Sequence, residues 1–231
     1  MALILNIETA TEVCSVSLAE SGKLIALKED TEGQQHAKLL TVFIEQLFDE
    51  NKLSLADLKA VAVSMGPGSY TGLRIGVSAA KGIAYAADIP LIAISTLQAM
   101  AYGVSKNKKF PGNTLFCPMI DARRMEVYSA IFDSENKLIR EIVAEIIDEN
   151  SFSQILQQHK LVFHGNGSVK CSQKIKSPNA VFLQNAQCSA ANMNELSYKS
   201  YQNKQFVNVA YFEPFYLKDF LATVPKNSVL G

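Results

Sequence analysis

The chain has 231 residues, 48% apolar and 19% charged, a balance that supports one large domain or two small ones around a sizeable core and excludes extended disorder. Lysine plus arginine and aspartate plus glutamate both number 22, so no basic surplus marks the whole chain as a nucleic-acid binder; any such contact would be local or made through a partner. The opening MALILNIETA has no basic start, and its apolar run is too short for a signal peptide or a membrane span, so a cytoplasmic location is expected.

In chain order, ALILNIE (2–8) reads as a buried strand and VCSVSLA (13–19) as a second. ESGK (20–23) carries hairpin chemistry, and LIALKED follows as a third strand. Helical spacing begins at 34 and runs to 50. Leu40, Phe43 and Leu47 form one stripe, which Leu39, Val42 and Phe48 widen beyond a single buried face. KAVAVSM (59–65) is a buried strand. The loop SMGPGSYTGLRIG (64–76) follows, and a helix is predicted from about 70 to 87. IPLIAIS is another strand, and Ser95 is placed to cap a helix ending near 104. KNKKFPGN (106–113) is a polar loop with Pro-Gly and the best boundary, dividing the chain into lobes 1–108 and 109–231.

After that loop the plan repeats. Glu12-Val13 recurs as Glu126-Val127 and Lys23-Leu24-Ile25 as Lys137-Leu138-Ile139, both at an offset of 114 residues. An acid ends the first strand in each copy, Glu8 and then Asp121. Two echoes at one offset inside the same strand–turn–strand–hairpin pattern argue for a duplicated three-strand unit. LVFHGNG (161–167) then reads as a strand entering a glycine turn, SAANMNELSYKSYQN as a helix, and YFEPFYLKDF (211–220) as an extended aromatic segment. The whole is an α/β architecture of two similar lobes.

The glycine-rich loop matches no phosphate cradle or nucleophile turn. No Gly-Lys-Ser/Thr is present, Thr71 stands where a dinucleotide fingerprint needs its third glycine, and Pro67 and Thr71 flank Gly68-Ser69-Tyr70 where a nucleophile elbow needs glycines. The surviving reading is conformational. Gly66, Pro67 and Gly68 turn the chain, Ser69 or Thr71 caps the helix, and Gly68 is expected in a backbone setting closed to a Cβ. Gly72, Gly76 and Ala80 fall on one helix face, either packed on their own sheet or presented to a subunit. The surplus apolar surface of the two helices favours an exposed partner patch, expected over His36, Leu39, Phe43, Gly72, Ile75, Gly76, Ala79 and Ala80.

Cys14, Cys117, Cys171 and Cys188 form no C-x-x-C pair and read as buried thiols. His36, His159 and His164 are scattered, without H-E-x-x-H spacing, so no metal site is expected and His36 reads as a helix N-terminal residue. Arginine is rare, yet Arg74 and the pair Arg123-Arg124 lie in glycine- or acid-marked turns, where a guanidinium fork suits a carboxylate or phosphate.

NIETAT followed by SVSL, with its echo MIDARR, resembles the phosphate-binding hairpins of the actin–hexokinase–ribonuclease H superfamily. The alternative is two carboxylates at solvent-facing strand ends. Together with 66–76, Ser95-Thr96-Leu97, Asp121-Ala122-Arg123, Glu126-Val127-Tyr128 and Glu213-Pro214-Phe215-Tyr216-Leu217, these residues resemble the TsaB (YeaZ) family in family order over nearly the whole chain. The resemblance implies the two-lobed actin-like (ASKHA, ribonuclease H-like) fold with duplicated βββαβα units. It also implies no catalytic residue of the chain's own: a subunit that binds the catalytic subunit TsaD, with the ATPase TsaE, for threonylcarbamoyl transfer to the tRNA adenosine beside the anticodon. Alone it would pair with itself, and tRNA would be met only through the complex. Glu8, Thr9, Thr11, Asp121 and Arg123 would mark a vestigial nucleotide site, with no resident cofactor and with ATP or ADP at the TsaD interface left open. Glu8 departs from the family's usual Asp, and Lys218 stands where Arg is common. A stand-alone ATP-dependent phosphotransferase of the same superfold is the other reading.

Overall fold

The computed structural model describes residues 1–33, 35–107, 110–184 and 186–218. β1 (Leu3–Glu8), β2 (Cys14–Glu20) and β3 (Lys23–Asp30) form an antiparallel meander, and β4 (Leu58–Gly66) and β5 (Leu91–Ser95) add in parallel, giving the order β3-β2-β1-β4-β5. β6 (Leu115–Asp121), β7 (Glu126–Phe132), β8 (Leu138–Ile146), β9 (Leu161–His164) and β10 (Ala180–Phe182) form a second sheet, β10-β9-β6-β7-β8. Reversed, the second order is the first, strand for strand. The repeat seen in the sequence is therefore a repeat of topology, and Glu8 and Asp121 end the two central strands.

The central strands pair on both edges and bury both faces, so they are mostly apolar; β1 has six consecutive buried residues, of which only Asn6 and Glu8 are polar. α1 (His36–Asn51) and α2 (Tyr70–Ala87) cover one face of the first sheet. The inward side of α1 is Leu40, Ile44, Leu47 and Phe48, while Phe43 and Leu39 are half-buried at its edge. Burying a side chain such as Leu40 or Leu47 contributes about 1.5–3 kcal/mol relative to exposure. Of the predicted α1 span, Gln34 lies outside the described residues.

The other faces are covered by exchange. α3 (Thr96–Asn107) leaves the first sheet and packs Leu97, Met100, Ala101 and Val104 against Phe116, Ile120 and Phe132 of the second. In return, a short 3-10 turn (Ala190–Met193) and α6 (Asn194–Gln202) lay Met193, Leu196, Tyr198 and Tyr201 on Ile4, Ala60, Ala62, Ile92 and Ile94. α4 (Ser153–Gln158) and α5 (Ser168–Cys171) complete the last face. The proposed boundary at 108 and 109 lies outside the described residues. All four cysteines are buried free thiols.

Candidate functional site

The two acid-ended strands bring their turns to one end of the sheets. Parallel pairing of β1 with β4 sets Ile7 opposite Val63 and so carries Glu8 alongside Ser64. The Ala10 amide donates to Glu8 Oε1 at 2.6 Å and the Ser64 hydroxyl donates to the same oxygen at 2.9 Å. Glu8 is fully buried. Desolvation pushes its carboxyl up to about 7, against the opposing pull of the Ala10 and Thr9 amides and the Ser64 hydroxyl. Thr9 donates its hydroxyl to the Gly72 carbonyl at 2.8 Å, and Thr11 is buried, with its Oγ1 accepting from the Val13 amide at 3.4 Å. Asp121, by contrast, is exposed. Its carboxylate takes Lys170 Nζ at 2.8 Å and the Arg123 amide at 2.6 Å.

The 64–76 loop closes over the first turn. The peptide before Pro67 is cis. Ser69 caps α2 by accepting from the Gly72 amide at 3.2 Å, as the capping reading expects, while Thr71 is exposed. The Ser69 amide donates to the Ala10 carbonyl at 2.6 Å. The left-handed glycine is Gly66, at φ 109°, not Gly68. Gly68 is demanded by space instead, because a Cβ there would run into the Ala10 carbonyl.

The small-residue ridge faces inward. A Cβ at Gly72 would strike the Thr9 carbonyl, one at Gly76 the Thr9 hydroxyl, and Ala80 is fully buried in the first core. Those three residues are thus not available to a partner, which corrects the expectation from the sequence: close packing on the β1–β2 turn, not a subunit, explains the ridge. His36 is also buried at the start of α1, with Nε2 3.2 Å from the Val13 carbonyl. Leu39, Phe43, Ile75 and Ala79 remain at the α1–α2 seam as half-buried side chains, with Ile83 beside them and Val42 40% exposed.

The sequence did not reveal what holds the loop's outer side. The Phe215 amide donates to the Met65 carbonyl at 2.7 Å, and the Phe215 carbonyl lies where a Gly66 Cβ would be. The Tyr216 ring lies 4.9 Å from that of Tyr70, over which the Arg74 guanidinium sits at 4.3 Å, and Arg74 Nε donates to the Tyr216 hydroxyl at 3.4 Å. Lys81 fixes the same segment through the carbonyls of Ala210 and Phe212, and Lys218 pairs with Glu126. The aromatic spacing of 211–218 was visible; its docking surface was not. Phe220 and Asp219 of the predicted extended segment lie outside the described residues.

Asn166, in the HGNG turn, ties the two copies together. Its amide donates to Glu12 Oε2 at 2.6 Å, and its Oδ1 accepts from the Asp121 amide at 2.9 Å. A nucleotide polyphosphate needs free amides and a free acid at these strand ends. Here the amides of Ala10, Ser69, Asp121 and Arg123 are all spent within the chain, and Glu8 is sealed. The turns in this arrangement do not fit that group. Among the described residues no group of three or more His, Cys, Asp or Glu side chains is placed to hold a metal ion, and no helix is long and apolar enough to cross a membrane.

A family model described as TsaD, tRNA N6-adenosine threonylcarbamoyltransferase, matches residues 30–219. The tRNA threonylcarbamoyladenosine biosynthesis protein TsaB of Haemophilus influenzae is 31% identical over 94% of this chain and 93% of its own length. The chain belongs to the TsaB family. It lies within the wider group that the TsaD model describes. TsaB of Escherichia coli is 39% identical over 57% of this chain, a match that spans 55% of that protein. YeaZ from Pseudomonas aeruginosa superposes with a TM-score of 0.82 at 24% identity, covering 94% of this chain and all of that one, and so shares the fold. The expected two-lobed actin-like architecture is the observed one.

Proposed function

We propose that the chain is a non-catalytic subunit that binds and activates TsaD, with TsaE, for threonylcarbamoyl transfer to the tRNA adenosine next to the anticodon. The observation that carries this reading is the sealing of Glu8. A strand-end acid that orients metal or water must present a free, charged oxygen. Glu8 is buried, favours its neutral form up to about pH 7, and has Oε1 committed to Ala10 and Ser64. Asp121 is neutralised by Lys170. What the chain offers instead is an apolar seam along α1 and α2, where Leu39, Val42, Phe43, Ile75, Ala79 and Ile83 keep part of their surface in water. Contiguous apolar surface of this kind marks partner sites. In this reading the 1–108 lobe supplies that face to TsaD and, in the isolated chain, to a second copy. The assembly works in the cytoplasm and brings tRNA to the chain.

The deciding experiment is reconstitution. Threonylcarbamoyladenosine formation on a tRNA transcript by TsaD and TsaE is expected to require this chain, and the double variant Val42→Lys/Ala79→Lys is expected to fold, lose TsaD capture and lose that activation. Steady ATP turnover by the chain alone, abolished by Glu8→Ala and Asp121→Ala, would overturn the proposal in favour of a phosphotransferase.

A further inference from the structure

The β6–β7 hairpin breaks a local rule. Its turn is closed by the Ala122 amide donating to the Glu126 carbonyl at 3.1 Å and the Glu126 amide to the Arg123 carbonyl at 3.1 Å. Of the three residues it encloses, Arg123 lies at φ 72° and Arg124 at φ 48°. Positive φ is adopted at least cost by glycine and, among residues with a side chain, by asparagine and aspartate. Long side chains there carry backbone strain, and strain that persists is a pointer to function. The equivalent turn of the first lobe, residues 9–13 between β1 and β2, contains no residue at positive φ.

Among the described residues the two guanidiniums also lack a counter-charge: both arginines are exposed, and neither side chain has a hydrogen bond or an ion pair there. The acids around them are already matched: Asp121 by Lys170, Glu126 by Lys218, while Glu12 is bonded to Asn166. Two of the chain's four arginines thus stand side by side with no acid paired to them among the described residues, in a protein whose formal net charge is zero. A nucleotide is a poor fit beside them, because the adjoining amides of Asp121 and Arg123 are spent within the chain. An extended polyanion that meets an exposed turn from outside needs no such cradle.

We propose that Arg123 and Arg124 form a phosphodiester-binding turn by which this chain touches the RNA directly. The inference rests on the proposed function for the identity of the polyanion as tRNA, and deepens it: the subunit contributes its own charge to holding the substrate. Arginine forks bind phosphate oxygens in pairs and position the backbone without reading its sequence.

The test replaces the pair by residues that adopt positive φ at little cost. Arg123→Asn/Arg124→Gly is expected to melt at or above the parent's temperature, because strain is relieved; a lower melting temperature would make the arginines structural and overturn the proposal. An unmodified tRNA transcript is then titrated against the chain assembled with TsaD and TsaE, with TsaD capture measured in the same samples. The expected result is unchanged capture, about tenfold weaker tRNA binding at low salt, and a log–log salt slope shallower by about 1.5. Unchanged affinity and slope would overturn the proposal. Loss of TsaD capture would assign the pair to the protein partner, and loss of ADP binding with tRNA binding intact would assign it to a nucleotide; either overturns it. If the parent itself fails to capture TsaD, the proposed function falls, and the same titration on the chain alone decides the turn by the same criteria.

Discussion

Asn166 donates its side-chain amide to the Glu12 carboxylate at 2.6 Å across 154 residues of sequence, and so fastens the second lobe to the β1–β2 turn of the first. Its Oδ1 simultaneously accepts the Asp121 amide. Asn166→Ala removes both bonds, one of them to a charged group, and is expected to lower stability by about 1–3 kcal/mol. Asn166→Asp should cost more, since it sets a second carboxylate against Glu12. Urea denaturation checks both; an alanine variant as stable as the parent would show that the tie carries no weight.

Glu8 gives stability a particular pH dependence. Its carboxyl sits at about 7 in the folded chain against an ordinary value of 4.5. Between those values the folded state keeps a proton that the unfolded chain has released. Stability from this group is therefore complete below about pH 4.5, falls as pH rises, and is lost above about pH 7. The span corresponds to about 3 kcal/mol. Glu8→Gln retains an acceptor for Ala10 and Ser64 and is expected to flatten that slope and exceed the parent's stability in mild alkali. Parallel profiles for the two proteins would refute the assignment.

Glycines along one loop and helix should respond in opposite ways. Gly68→Ala drives a Cβ into the Ala10 carbonyl and is expected to destabilise by about 1–3 kcal/mol. Gly82, exposed in the middle of α2 with open space around it, should instead gain about 0.5–1 kcal/mol on change to alanine. Thermal melts of the two variants read the contrast directly.

Lys81 holds the C-terminal segment onto α2 through two backbone carbonyls. Lys81→Met keeps the aliphatic stem and removes both donors. Limited proteolysis is expected to cut the 207–218 segment faster in the variant while the rest of the fold stays resistant. Equal cleavage rates would mean that the Phe215–Met65 bond and the Tyr216–Tyr70 contact hold the segment without the lysine.

The sequence by itself determined the local elements, the duplication and the family. β1, β4 and the Tyr70–Ala87 helix follow from apolar period and a Ser69 cap, and the offset linking Glu12 to Glu126 announced two equivalent sheets. These signals lie within a turn or a strand, or recur at one fixed distance, so they leave a pattern along the chain. Only the tertiary structure decided which way the Gly72-Gly76-Ala80 ridge faces, because a helix with apolar residues on two sides does not say which one its sheet takes. The tertiary structure also decided that α3 and α6 exchange sheets, that Phe215 covers Gly66, and that Asn166 reaches Glu12. Each joins residues far apart in the chain through a single close approach, and one contact without a period leaves no trace in the order of amino acids.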